Sequence, residues 1–394
     1  MRRLTILLLA LLSVWFATPA GVTYAATVPS QTVTSDANQQ LDSLPTQSID
    51  AFWQHLNSTY GGYLPDVSGE SLISAIASGH GFHIKQVAHG LIRYFFSELL
   101  DNAALLGGIL ILAVLAALLE SMQTAFESQT VSQVANAVIF LVLMVLAIGS
   151  FTEAVGYAKH AIQSMSDFML ASVPVMVAVL AATGNVASAA FFHPFMSFAV
   201  EVVANIVFFF VFPLIFFGAV LDITSAISPR YKLTRLAGLL RSVAIGVLGF
   251  SLSAFIGVSA VSGAGKGIAD GVALRATKFG LSTFVPVIGK ALSDAWETVA
   301  SASLLAKNAI GIAGLILVAL LALFPALKVL AVAFVYNGSA ALMQPLGESP
   351  MIPCLASLGK SLVLVFACVA AVAMMFFVSI CIMMAAANVA VIMS

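Results

Sequence analysis

Seven long runs of this sequence contain no Asp, Glu, Lys or Arg: 102–119, 128–152, 168–200, 202–221, 242–265, 308–327 and 361–394. About 20 apolar residues cross a bilayer as a helix, and lipid leaves the backbone no partner but itself. The runs therefore predict an all-α polytopic membrane protein of six to seven transmembrane helices with re-entrant or interfacial segments. Composition agrees: 61% of residues are hydrophobic and only 8% charged, against about 25% charged in a soluble domain. A net charge of −1 offers nucleic acid no attraction. Cys354, Cys368 and Cys381 have neither metal-ligand nor redox spacing and are expected to pack as small apolar residues.

Between the fifth and sixth runs lies KGIADGVALRATKFGLSTFVPVIGKALSDAWE, which carries Lys266, Asp270, Arg275, Lys278, Lys290, Asp294 and Glu297. No ordinary span passes through so many charges. Its centre, FVPVIGK, places Pro286 and a glycine in a short apolar segment, the composition of a chain that enters the membrane and turns back. A re-entrant or interfacial helix pair is expected here. Lys266 and Asp270 fall on one helical face, as do Lys290, Asp294 and Glu297. They form either an intrahelical ladder of ion pairs or a charged surface lining a passage or docking a partner.

The stretch has a counterpart. Pro286 in FVPV follows Pro174 in SVPV by 112 residues, and the same offset relates Phe212-Pro213 to Phe324-Pro325. Beyond a shift to 119, LAGLLRSV at 236–243 matches LASLGKSL at 355–362. Two units of one design are expected, about 131–241 and 242–360, with a final span at 361–392. Internal repeats are common in membrane transport proteins.

Seven crossings would leave Arg230, Lys232, Arg235 and Arg241 outside, against the positive-inside tendency. Re-entrant VPV segments leave six spans, near 102–119, 131–152, 197–221, 242–264, 309–335 and 361–392, and return that loop to the cytoplasm. Six is the favoured count. Ahead of the spans, residues 1–25 read as a signal peptide: Arg2 and Arg3, an apolar run, then small residues suited to cleavage after Ala25. Residues 26–84 form an extracytoplasmic segment, a polar tether followed by short helices, one of which aligns Ile49, Phe52, Trp53 and Leu56. From Lys85 to Asp101 a polar residue recurs every fourth position, which predicts an amphipathic helix lying at the bilayer surface.

Ionisable residues at the apolar runs mark either function or reach toward headgroups. Glu201, with Asn205 one turn on, and Lys328, three residues past Pro325, are the candidates. Pro213 and Pro325 kink their spans, as gating helices and ordinary packing both do. Signatures of zinc proteases, P-loop NTPases and serine hydrolases are absent, so no enzyme, cofactor or metal site is expected.

The ordered motifs KGIADGVALRATKF, FVPVIGKALSDA and FPALKVLAVAFVYNGSAALMQPLGESP, with a signal peptide ahead and NVAVIMS at the C-terminus, resemble the stage III sporulation protein AE family of endospore-forming bacteria. The resemblance covers most of the chain after about residue 85 and is densest at 266–350. It implies a multipass subunit of the mother cell membrane around the forespore, the outer forespore membrane, acting in a channel or secretion-like complex that sustains late forespore gene expression. The implied partners are the lipid bilayer, the other stage III proteins of the same operon and, across the intermembrane space, a forespore membrane protein. A small-molecule permease is the alternative. The family supplies no catalytic residues to carry over.

Overall fold

In the computed structural model of the 394-residue chain, the described residues are 47–64, 72–77, 84–123, 129–182, 186–227, 232–284, 288–346 and 349–393; over 262–284 and 288–306 only the backbone is described. The signal segment, the tether, Arg230 and Pro286 lie outside them. No strand occurs among the described residues. The elements are α1 (Gln47–Tyr60), α2 (Leu72–Ala77), α3 (Ile84–Asp101), α4 (Ala103–Gln123), α5 (Gln129–Ala182), α6 (Val186–Ile206), a π turn (Val207–Val211), α7 (Phe212–Ile227), α8 (Thr234–Phe284), α9 (Ile288–Met343), a 3-10 turn (Gln344–Leu346) and α10 (Met351–Met393).

Among the described residues, six helical stretches are long and apolar enough to cross a membrane: Lys85–Ala116, Ala137–Ala181, Ser188–Ala226, Thr234–Val261, Lys307–Met343 and Met351–Ala385. The chain is an all-α polytopic protein. Helices α9 and α10 pack most extensively and form the centre, flanked by α5 and α8. Interhelical bonds set their register. Tyr336 on α9 donates to the Ala147 carbonyl of α5 at 2.7 Å, and Lys307 donates to the Met384 carbonyl of α10 at 2.8 Å. Arg241 on α8 reaches Ser357 and Ser361 on α10. The α7–α8 and α9–α10 connections thus share one end of the bundle, termed lower here, and the N-terminal helices pack toward the other.

Around the lower part exposed apolar side chains come from every side, Ile111, Leu115 and Leu118 on α4, Leu141 and Val145 on α5, Phe217 on α7, Leu239 and Phe250 on α8, and Phe334 and Leu342 on α9, while others stand higher on α3, α6 and α8. Above them α5 turns outward Glu153, Lys159, His160, Gln163 and Asp167. The apolar stretch of α5 below Glu153 is about 20 residues, roughly 30 Å at the helical rise and close to the hydrocarbon thickness. A lipid belt with a helical superstructure above it accounts for both patterns.

Three expectations change. Pro174 does not turn the chain back: α5 runs through it to Ala182, because the ring removes one hydrogen bond and is tolerated where its side faces outward. The two VPV segments differ, since Pro286 falls between α8 and α9 while Pro174 lies inside a helix. On either side of 285–287 the backbone continues the neighbouring long helices, α8 up to Phe284 and α9 from Ile288, rather than forming a short separate pair. The segment 85–101 is not an isolated surface helix. The Asn102 N–H bonds Glu98 O at 3.1 Å and the Leu106 N–H bonds Asn102 O at 3.2 Å, so the helical ladder passes from α3 into α4. Its polar stripe splits between a wetted face, with Lys85, His89 and Arg93, and a face pressed on α9 that buries Tyr94 and Glu98.

The two Phe-Pro steps also differ. Ahead of Pro213 the ladder widens, with the Phe212 N–H reaching back to Val207 O across a π turn. Pro325 sits within α9, whose helix continues to Met343.

Candidate functional site

Helix α1 runs antiparallel to α5 and buries Ile49, Trp53 and Leu56, each contributing roughly 1.5–3 kcal/mol of apolar transfer. Phe52 meets Phe168 of α5 edge-on at 5.3 Å. At the end of α1, Tyr60 stacks on Phe324 of α9 at 4.1 Å, and Tyr94 of α3 sets its edge against both rings, at 5.6 Å and 5.0 Å. Tyr63 adds a fourth ring at 5.2 Å from Tyr94, and its hydroxyl donates to Ser97 Oγ at 3.1 Å. Such aromatic pairs add about 0.5–1.5 kcal/mol each beyond their buried area. Gly90 permits this docking. A Cβ there would lie 1.8 Å from the Tyr63 carbonyl oxygen, so no other residue lets the 61–64 turn lie against α3.

Beneath α1 and beside these rings is a cleft of about 470 Å³, lined among others by Tyr60, Glu98, Tyr157, His160, Pro325 and Lys328. It lies just above the apolar belt. Inside it Lys328 Nζ is 3.5 Å from Glu98 Oε1 and 4.3 Å from the centroid of the Tyr157 ring. Tyr94 gives Glu98 a second partner through its hydroxyl, and the Tyr157 hydroxyl donates to Glu153. Burial, together with the Glu98 charge, raises the Tyr60 hydroxyl above its ordinary pKa, so it stays a donor at neutral pH. The cleft thus joins one acid, one ammonium, three phenols and the imidazoles of His55 and His160. The set suits polar recognition or proton handling. Among the described residues no three His, Cys, Asp or Glu converge as metal ligands would.

A second charged site closes the lower end. Arg241 Nη2 is 2.6 Å from Asp222 Oδ2 and 2.8 Å from Ser357 Oγ, while its Nε bonds Ser361 Oγ at 3.2 Å. Ser357 donates to the same Asp222 oxygen. This clamp ties α7, α8 and α10 together.

Of the sequence candidates, Lys328 and Pro325 meet in the cleft. Glu201 and Asn205 share a face, as expected, but that face is exposed, on a helix that packs chiefly on α5 and α8. Lys232 and Arg235 are exposed at the lower end, where a loop signal belongs. Arg241 is not part of that signal, because its guanidinium turns inward to the clamp. Pro174 and Pro213 line neither site. Lys266, Asp270, Arg275 and Lys278 lie on α8, and Lys290, Asp294 and Glu297 on α9, in the stretches where only backbone is described. Glu98 and Asp222 escaped notice: each sits at the end of an apolar helix, where an acid reads as a surface residue. The local signal for Glu98 was Tyr94 one turn earlier, on the face opposite the wetted one.

The family model for stage III sporulation protein AE matches residues 67–387. The chain belongs to that family. It is 41% identical over 364 residues to stage III sporulation protein AE of Bacillus subtilis (strain 168), a match spanning 92% of this chain and 91% of the relative. No solved structure matches it. The family match takes in α2 through the greater part of α10, and so the charged pairs of both sites, while α1 precedes it and is reached by the longer pairwise match.

Proposed function

We propose that this AE-family protein is a non-catalytic scaffold subunit of the channel complex linking mother cell and forespore. In this reading it sits in the mother cell membrane around the forespore, with α1 and the upper cleft on the extracytoplasmic side. Its neighbours are the other stage III proteins of the same operon and, across the intermembrane space, a forespore membrane protein.

One observation carries the reading: below the cleft the interior is filled. Val329, Val332, Tyr336, Phe151 and Leu358 are buried there, and Tyr336 is held by Ala147 and Ser150. Side chains buried in this way fill the space between α5, α9 and α10 below the cleft, the packing of a subunit rather than of a pore wall. Passage then needs surfaces contributed by other subunits. The exposed basic residues Lys232 and Arg235 at the lower end, and α1 at the upper, support the orientation.

The cleft itself supports a second reading, a small-molecule permease, since about 470 Å³ and a buried ion pair suit a small polar solute. Reconstitution separates the two. A scaffold subunit in liposomes alone is inert to a panel of ions and small solutes and conducts only once its operon partners are added. Saturable uptake of one solute by the protein alone overturns the scaffold reading.

A further inference from the structure

Two flanks of the bundle are poorly covered. In the most apolar 18-residue windows of the spans Lys85–Ala116 and Thr234–Val261 only 11% and 22% of residues are buried, against 39% or more in the other four. They lie on opposite sides: α4 packs chiefly on α5 and α9, whereas α8 packs chiefly on α10 and α7.

Lipid alone does not cover them. Exposed apolar residues run from Leu118 up to Ile92 on one flank and from Leu236 up to Val261 on the other. At the helical rise these stripes measure roughly 39 Å and 38 Å, against about 30 Å of hydrocarbon. Fitting them by tilt would take about 40°, the extreme for spanning helices. Both stripes start near the lower end, so the surplus stands at one height on each side. It comprises Ile92 and Phe96 on one flank and Val258 and Val261 on the other; Val261 is 78% exposed.

Charge at that height differs in sign. Beside Ile92, Arg93 is exposed, its guanidinium 5.9 Å from the Tyr63 ring, with Lys85 and His89 above it. On α6, which packs on α8, Glu201 is exposed next to Phe198. Arg93 stands 23 residues above Ala116 and Glu201 25 above Ala226, the lower ends of their stretches, so the two lie at nearly one height. A like-with-like pairing of either flank sets Arg93 against Arg93 or Glu201 against Glu201. Opposite flanks set Arg93 against Glu201.

We infer that copies of this chain associate head to tail, the α3–α4 flank of one against the α6–α8 flank of the next. Such a heterologous contact closes into a ring where its rotation permits. The inference rests on the reading of the chain as an assembly subunit and names another copy as a partner.

The test uses the full chain in its native membrane. With Phe96→Cys and Val261→Cys together, mild oxidation yields a ladder of dimers, trimers and higher species; either substitution alone, or the native cysteines alone, yields monomer. Arg93→Glu or Glu201→Arg reduces the ladder at least tenfold, and the two combined restore it, which separates a lost contact from lost folding. Cross-linking by Phe96→Cys alone, a double variant that stays monomeric while eluting as a folded species, or no rescue by the combined charge swap each overturns the inference. A missing ladder alongside partner-dependent conductance removes the copy contact only. A normal ladder without such conductance removes the channel reading instead.

Discussion

The upper cleft and the lower clamp each join an acid to a base between helices, and each base or acid follows a Phe-Pro step, Lys328 after Pro325 and Asp222 after Pro213. Their geometry is opposite in character. At the clamp the ion pair closes to 2.6 Å with side chains 18% and 10% exposed, and two serines accept from Nη2 and Nε. At the cleft the pair stands at 3.5 Å, the lysine is 30% exposed, and an aromatic face holds the ammonium from the side. Arginine presents a planar fork that several acceptors can saturate, whereas lysine is a point charge on a flexible stem. The first arrangement locks three helices; the second leaves a charged group beside open volume. Similar residues thus make a structural fastening at one end and a place for recognition at the other.

That contrast breaks first at the clamp. Arg241→Met leaves Asp222 uncompensated, at a cost of about 3–5 kcal/mol, and is expected to lower the thermal unfolding midpoint in detergent and the cellular abundance together. Adding Asp222→Asn should recover much of the loss; no recovery would mean the pair is not the fastening.

Next comes the roof of the cleft. Gly90→Ala forces the Tyr63 turn off α3, at about 1–3 kcal/mol, and is expected to expose residues 47–64 to limited proteolysis. Gly108→Ala, which meets nothing within 4 Å, serves as the control. Equal protease resistance in both variants would detach α1 from the site.

At the cleft, Lys328→Met combined with Glu98→Gln, which leaves no buried charge unpaired, is expected to cost about 1 kcal/mol or less and to leave abundance normal. Heat-resistant spore counts should fall at least tenfold nonetheless. A fall in abundance with unaltered function per molecule would make the cleft a second clamp.

The smallest effect is at Asp50 on α1, whose carboxyl burial raises above its ordinary pKa and whose Oδ1 is buried without a hydrogen-bond partner. An acid with a raised folded pKa stabilises docking below pH about 3.8 and loses that contribution as pH rises through the folded value. Asp50→Asn should therefore make α1 docking, read by hydrogen exchange, slightly tighter at pH 7 and flat between pH 4 and 7. A steeper dependence in the variant would contradict burial as the cause.

Much of this was legible along the chain. Runs without charge predicted a bundle of membrane-spanning helices, though the count of six came from re-entrant VPV segments that Pro174 does not form, and the spacing of Ile49, Trp53 and Leu56 predicted α1 with its buried face, because hydrophobic periodicity is a property of neighbours in sequence. Lys328 and Pro325 stood out as a charge and a helix breaker in apolar surroundings. Glu98 and Asp222 did not, since nothing local distinguishes an acid that a distant helix will cover from one left in water. The VPV repeat misled for a related reason: a proline records a lost hydrogen bond, but whether the chain bends or continues depends on what packs beside it.

By itself the sequence determined the helical membrane class and membership of a sporulation family, both of which follow from local composition and ordered motifs. Only the tertiary structure decided that Arg241 serves as a clamp, that Lys328 faces Glu98 over an open cleft, and that two flanks stay bare. Those outcomes depend on which helices lie side by side, and burial of apolar surface, being non-directional, leaves that choice to the packing of the whole bundle.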